Sequence, residues 1–315
     1  MKKLISVIAP MYNEGELVNA YLDSCMKAMD SISDRYRYEI VMVNDGSNDN
    51  TYELMKKAQS EHPDLISTVC LTRNFGLEGA VFAGLSKARG DAVVSMDADL
   101  QDPPEVILKL IEKWENGADV VNAVRVKRES DTFFKKTTAA MYYDILRSIS
   151  GKVKMDKDAA NFRLLSRKAV DTVLSLSESN KVFRVAVPFV GMKTETVEYE
   201  RDKRYAGSTK YHLRNMVPYA LDSITGVSVA PLYISFWAVV FFLAGFLATF
   251  ISFIAAHDEW KVGLFCVSMG FLCFAVMSVV IAVISIYLAQ TLTEAKGRPV
   301  SLIYEYDPAR TEEDA

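Results

Sequence analysis

Histidine and cysteine are scarce in this 315-residue chain, with three and four copies, and no two cysteines form a CxxC pair. Zinc sites and disulfide frameworks need such ligands in closely spaced sets, so neither is expected. No G-x-G-x-x-G or Walker-type glycine loop occurs, which disfavours a dinucleotide cofactor or ATP. Internal repeats and low-complexity segments are also lacking. Nor is there a basic excess: 36 Lys and Arg face 40 Asp and Glu, a net charge of −4, which argues against nucleic acid as a general partner. The apolar stretch after Met1-Lys2-Lys3 breaks at Pro10 and runs into Asn13-Glu14. That fits a strand rather than a signal peptide, so the cysteines are expected as reduced thiols.

Charge is missing altogether from two runs, Leu232–Ala256 and Val262–Leu292. Each exceeds the roughly 20 residues a helix needs to cross a bilayer. Two spans at about 232–256 and 262–289 are therefore expected, joined as a hairpin by His257-Asp258-Glu259-Trp260-Lys261. Lys203, Arg204, Lys210 and Arg214 precede the first run and Lys296 and Arg298 follow the second, while the link carries only Lys261. The positive-inside bias then puts residues 1–211 and the 293–315 tail in the cytosol of a multi-pass protein of the cell membrane. Residues 212–230 are too polar to span and read as interfacial amphipathic helices.

The first 125 residues alternate between apolar β-rich runs and helical spacing. Leu4–Ala9, Glu39–Val43, Ile66–Leu71, Ala92–Met96 and Val120–Val124 read as buried strands. Glu16–Ser31, Asn50–Ser60, Glu78–Ala88 and Pro104–Trp114 read as helices. This predicts an α/β fold, a mostly parallel sheet with covering helices. Further on, Asp131–Ser150 and Arg167–Leu176 read as helices and 192–200 as a half-exposed strand.

Chemistry concentrates where the strands end. Asp97-Ala98-Asp99-Leu100-Gln101-Asp102 follows the fourth strand, at the edge where open α/β sheets bind ligands. Asp97 and Asp99 at i and i+2 can share a hard cation such as Mg²⁺ or Mn²⁺, which bridges a diphosphate. Asn44-Asp45-Gly46-Ser47 follows the second strand, and Pro10-Met11-Tyr12-Asn13-Glu14 ends the first. Asp45 suits both a turn and a contact to a base or ribose. Basic residues cluster at Arg125, Arg128, Lys135 and Lys136, and again at Arg201, Lys203, Arg204 and Lys210. A solvated face, attraction to anionic headgroups and phosphate binding all fit such clusters.

Together Pro10-x-Tyr12-Asn13-Glu14, Asn44-Asp45-Gly46-Ser47-x-Asp49-x-Thr51, Arg73-Asn74-Phe75-Gly76 and Asp97-x-Asp99-Leu100-Gln101-Asp102-Pro103 resemble the motif series of family 2 glycosyltransferases. Asn161-Phe162-Arg163-Leu164, Arg204-x-x-Gly207-x-Thr209-Lys210-Tyr211 and Glu294-x-Lys296-x-Arg298-Pro299 narrow the likeness to polyprenyl-phosphate sugar transferases, such as bactoprenol glucosyltransferases and dolichol-phosphate mannose synthases. The resemblance spans the whole chain. It implies a GT-A fold and an inverting, metal-dependent transfer of a hexose from a nucleotide sugar to a polyprenyl phosphate such as undecaprenyl phosphate. UDP-glucose is the first choice of donor, then UDP-N-acetylglucosamine, with GDP-mannose as the alternative. It further implies that Pro10, Tyr12, Glu14, Asp45, Arg73 and Asp97 line the nucleotide pocket. Asp97, Asp99 and Gln101 would serve Mg²⁺ or Mn²⁺, and Arg125, Arg128, Lys136, Arg163, Arg204, Thr209 and Lys210 the lipid phosphate. Homo-oligomerisation through the spans, as a tetramer for example, and a separate flippase partner are implied as well.

Two positions depart from the pattern. Asn161 stands where relatives often carry Asp, leaving Asp158 as the nearest candidate catalytic carboxylate. Gln290 stands where they commonly place Arg. A processive polysaccharide synthase shares the acidic motifs, but the chain has no Arg-Trp pair for its Gln-x-x-Arg-Trp motif. A non-catalytic membrane scaffold is the rival of another class, and the intact acidic and basic sets argue against it.

Overall fold

A computed structural model describes residues 2–125, 159–178, 181–200, 245 and 259–310. Its frame is an eight-stranded mixed sheet in the order β7-β5-β6-β4-β1-β2-β3-β8. The strands are β1 (Lys3–Met11), β2 (Tyr36–Asn44), β3 (Ile66–Leu71), β4 (Ala92–Ser95), β5 (Val120–Arg125), β6 (Ala159–Ser166), β7 (Thr194–Tyr199) and β8 (Ile303–Asp307). Between them run helices α1 (Val18–Asp30), α2 (Thr51–Glu61), α3 (Gly76–Lys87), α4 (Val106–Glu115), α5 (Arg167–Ser175), α6 (Phe183–Phe189) and α7 (Glu259–Ala295). Only β6 and β8 run antiparallel to their neighbours.

Strands β1, β2 and β4 are buried on both faces, which is why their sequences read as continuous apolar runs rather than alternating ones. One core cluster packs α1, α2 and α4 on one face of the sheet, and a second packs α3, α5 and α6 on the other. Helix α4 shows how a side is chosen: Val106, Ile107, Leu110 and Ile111 form its buried stripe, and burying each such side chain stabilises the fold by about 1.5–3 kcal/mol.

The chain runs outward from β1 to β2 and β3, then returns to place β4 on the other side of β1. A reversal of this kind is where α/β sheets take ligands, beyond the strand ends. The strands at this point differ in reach. β4 pairs with β1 only from Ala92 to Ser95, opposite Ile5 to Ile8, whereas β1 continues to Met11 beside β2. Pro10 is tolerated there for a geometric reason. Ile8 O accepts from Met96 N on the β4 side, and Met11 O accepts from Asp45 N on the β2 side. By the two-residue period Pro10 therefore faces where β4 has already ended, so its missing N–H breaks no ladder.

Part of the segment expected as a cytosolic tail, 293–315, joins the sheet. β8 pairs with β3, Gln59 donates to Asp307 O at 2.9 Å, and Ala309 N donates to Ser67 Oγ at 2.9 Å. Glu305 meets Tyr52 and Lys56 of α2. No apolar run announces β8, since Glu305 and Asp307 both turn towards α2, where each pairs with Lys56. Helix α7 starts at Glu259, earlier than expected, and its Leu272–Ala295 stretch is long and apolar enough to cross a membrane, with mean hydropathy 2.6. Phe274, Val279 and Leu288 on it are 76%, 62% and 67% exposed. The other expected span, the interfacial segment and the Asp131–Ser150 helix lie outside the described residues.

Candidate active site

Three loops interlock at the C-terminal edge of the sheet. After β1, Asn13 N donates to Ser47 Oγ at 3.0 Å, Glu14 N to Thr51 Oγ1 at 2.9 Å and Gly15 N to Asp49 Oδ2 at 3.2 Å. Asn48 N returns a bond to Asn13 Oδ1 at 2.8 Å. Asn13 has φ 52°, a left-handed geometry that asparagine tolerates better than most residues. The Asn-Glu and Asp-Gly-Ser-x-Asp-x-Thr motifs thus hold each other, and Tyr12 and Glu14 are left half-buried at the rim. Pro10 is buried just behind them.

Asp45, expected as a base or ribose contact, has a structural task as well. Its Oδ1 accepts from Phe75 N at 2.7 Å and its Oδ2 from Gly76 N at 2.9 Å, which caps the start of α3. A carboxylate at a helix N-terminus also complements the helix dipole. Burial nevertheless raises its pKa to about 6, although the two backbone N–H groups and Arg73 pull the other way. Arg73 is exposed, with its guanidinium 4.0 Å from the Phe75 ring centroid. Gly46 closes the join: a Cβ there would lie 2.5 Å from Arg73 C and 2.6 Å from Asn74 N.

The acidic loop leaves β4 beside these. Asp99 Oδ1 accepts from Gln101 N at 3.1 Å, a local turn that Leu100 completes with φ 54°. Asp97, Asp99 and Gln101 are all half-buried. Tyr21 of α1 is wholly buried and its hydroxyl pKa is raised, chiefly by burial, then by Cys25 and Asp97. Among the described residues no three His, Cys, Asp or Glu side chains gather as a metal-holding group. Asp97, Asp99 and Gln101 could offer two carboxylates and an amide, all hard oxygens. Such a set fits an Mg²⁺- or Mn²⁺-class ion that completes its shell with substrate phosphate and water.

Asp102 closes the acidic loop ahead of α4. It is 1% exposed, and its Oδ1 accepts from Tyr199 OH at 2.6 Å. Arg125 Nε donates to Tyr199 OH at 3.1 Å, and its NH2 lies 3.6 Å from Asp102. Arg125, expected at a lipid phosphate, is thus engaged with Asp102. Arg163 pairs in register with Ser95 on one side and Asn122 on the other. It is fully buried, its guanidinium 4.9 Å from the centroid of Phe183. Asp158, Arg128, Lys136, Arg204, Thr209 and Lys210 lie outside the described residues. Sequence reasoning passed over Tyr199 and Tyr21, whose strand and helix positions carry no local sign of a polar task.

A mostly parallel sheet of this order, with an Asp-x-Asp loop at its C-terminal edge, is a GT-A fold, and the chain is a glycosyltransferase. It belongs to glycosyl transferase family 2, whose model matches residues 6–174. It is 38% identical to the uncharacterized glycosyltransferase YkcC of Bacillus subtilis, with 95% of this chain and 92% of that protein covered. The prophage bactoprenol glucosyl transferase homolog of Escherichia coli is 36% identical, with 95% and 98% covered. Among solved structures, glucosyl-3-phosphoglycerate synthase of Mycobacterium tuberculosis, in complex with Mn²⁺, UDP and glucosyl-3-phosphoglycerate, aligns at TM-score 0.48 and 18% identity, covering 71% of this chain and 78% of that one.

Proposed function

We propose that the protein transfers a hexose from a nucleotide sugar, UDP-glucose first and UDP-N-acetylglucosamine next, to the phosphate of a polyprenyl lipid at the membrane face. The observation carrying this is that Tyr12, Glu14, Asp45, Arg73, Asp97, Asp99 and Gln101 all follow the C-terminal ends of four adjacent parallel strands, on a chain with a helix apolar enough to cross a bilayer. The bactoprenol name of a 36% identical relative supports the acceptor. GDP-mannose is the second reading for the donor.

Tyr12, Glu14, Asp45 and Arg73 would hold the nucleotide, and Asp97, Asp99 and Gln101 a divalent cation with the diphosphate. That cation, when bound, supplies Lewis-acid neutralisation of the departing diphosphate. The acceptor phosphate has a second pKa near 6, so at neutral pH it is a competent nucleophile without a general base. Its oxygen attacks the anomeric carbon in line, the bond to the diphosphate oxygen breaks, and the configuration inverts. Asp158 remains the candidate carboxylate if the reaction needs one. Arg128, Lys136, Arg204, Thr209 and Lys210 would meet the lipid phosphate, holding two anions together. The membrane-spanning hairpin, cytosolic termini, oligomer and flippase partner belong to this proposal too.

Full-length protein in detergent, supplied with labelled nucleotide sugars, a short-chain polyprenyl phosphate and Mn²⁺ or Mg²⁺, tests the reading. One donor should label the lipid, and Asp99→Ala should lower the rate roughly 10²–10³-fold, as for loss of a main electrostatic stabiliser. Undiminished transfer by Asp99→Ala removes the assignment of the acidic loop.

A further inference from the structure

The acidic loop is gripped from behind by residues on two other strands. Asp102 closes the Asp97–Asp102 loop, and its buried carboxylate accepts the 2.6 Å bond from Tyr199 OH at the end of β7. Arg125, at the end of β5, donates to the same Tyr199 oxygen at 3.1 Å and faces Asp102 across 3.6 Å. The Tyr199 ring is held in turn edge-on to Phe162 of β6, 5.7 Å between centroids at 84°. β5 and β7 pair up to the Arg125–Tyr199 row itself, so the two partners of Asp102 arise from one ladder position. Three elements far apart in sequence thus converge on one carboxylate.

We propose that Asp102, Tyr199 and Arg125 form a positioning clamp that presets the loop for the divalent cation and the donor diphosphate. The proposal rests on the reading of Asp97, Asp99 and Gln101 as the metal and diphosphate site, and it assigns Arg125 to the loop rather than to the acceptor. Burial of a carboxylate is costly unless the charge is paired and hydrogen-bonded, and the clamp supplies both. Arg125 is suited to this task because it feels Asp97 as well. Burial alone would lower its pKa, yet Asp102, Tyr199 and Asp97 together hold it above its ordinary value. With Asp102 fixed, the residues between it and β4 have little freedom, and the Asp99–Gln101 turn (3.1 Å) keeps its shape. Metal affinity is then set partly by residues that never touch the metal, as outer-shell partners generally do.

The test uses full-length protein and reads Mn²⁺ binding in the presence of UDP by electron paramagnetic resonance, alongside thermal melting and transfer kinetics. Tyr199→Phe keeps the ring on Phe162 and removes only the hydroxyl. It should melt as a folded protein, weaken Mn²⁺ binding by roughly tenfold, within the range known for outer-shell losses, and raise the KM for Mn²⁺ while kcat at saturating Mn²⁺ falls less than about twofold. Asp102→Asn, which removes the charge that faces Arg125, should also weaken Mn²⁺ binding, and because the three groups share one network the double variant should lose less than the sum of the two single losses. Should Tyr199→Phe fail to fold, Arg125→Lys, which keeps the charge but cannot reproduce the fixed Nε geometry, gives the same readout. A folded Tyr199→Phe (or, in its place, Arg125→Lys) with unaltered Mn²⁺ affinity overturns the clamp. The Asp99→Ala control separates the two levels. If it loses Mn²⁺ while Tyr199→Phe does not, only the clamp fails; if wild-type protein binds no Mn²⁺, or Asp99→Ala binds it normally, the metal reading fails and takes the clamp with it.

Discussion

Replacing Gly46 with alanine asks whether the loops at the sheet edge are packed against one another or merely adjacent. Gly46 and Gly76 both adopt left-handed backbone, at φ 66° and 83°. An alanine at either costs about 1 kcal/mol for that conformation. The neighbours differ. A Cβ on Gly76 meets nothing within 4 Å, whereas one on Gly46 falls 2.5 Å from Arg73 C and 2.6 Å from Asn74 N. Both are backbone atoms, so relief requires moving the β3–α3 loop, and with it Arg73 and the Phe75 and Gly76 N–H groups that Asp45 accepts at 2.7 and 2.9 Å. Losing those two bonds to a buried carboxylate adds about 2–4 kcal/mol. Gly46→Ala should therefore cost about 3–5 kcal/mol in all and Gly76→Ala only about 1 kcal/mol. Thermal melting of the detergent-solubilised protein measures the first difference. Titration with UDP measures the second, because Gly46→Ala should lose nucleotide affinity that Gly76→Ala retains. Equal melting and equal UDP affinity for the two variants would refute the interlocked-loop account.

Asp45 sets a pH dependence whose sign follows from its raised pKa. A rise from 3.8 to about 6 corresponds to stability fully present below about pH 3.8 and lost as the pH climbs through 6, at most about 3 kcal/mol. Compared with Asp45→Asn, the wild type should lose melting temperature between pH 4 and 7, and parallel melting curves across that range would contradict the assignment. A chain ending after Gly297 lacks β8 and the Ala309 contact to Ser67, which exposes the β3 edge. It should melt at a lower temperature and give up backbone protection in β3, readable by hydrogen exchange; unchanged β3 protection would mean that β8 is not bound in solution.

Much of this arrangement was legible along the chain. Apolar runs bounded by Pro10, Asn44-Asp45 and Asp97 located strands because burial on both faces of a parallel sheet demands continuous hydrophobicity, and polar residues at their ends marked the edge to which the proposed site is assigned. The uncharged stretch in α7 was legible as a helix long and apolar enough to cross a membrane, because charge is absent over more residues than a bilayer requires. Family membership followed from ordered short motifs, whose chemistry is local.

What the chain order could not specify is which distant groups answer those motifs. Asp102 read as the last residue of the acidic motif, and Tyr199 and Arg125, 97 and 23 residues further along, take its carboxylate. Asp45 read as a ligand contact, and folding added the cap of α3. β8 carried two acids that hid its strand character until Tyr52, Lys56 and the β3 edge were beside it. The physical reason is common to all three. Hydrophobic periodicity is written within one element, whereas the partner of a buried charge is selected by sheet order and register, and these exist only once the strands have assembled.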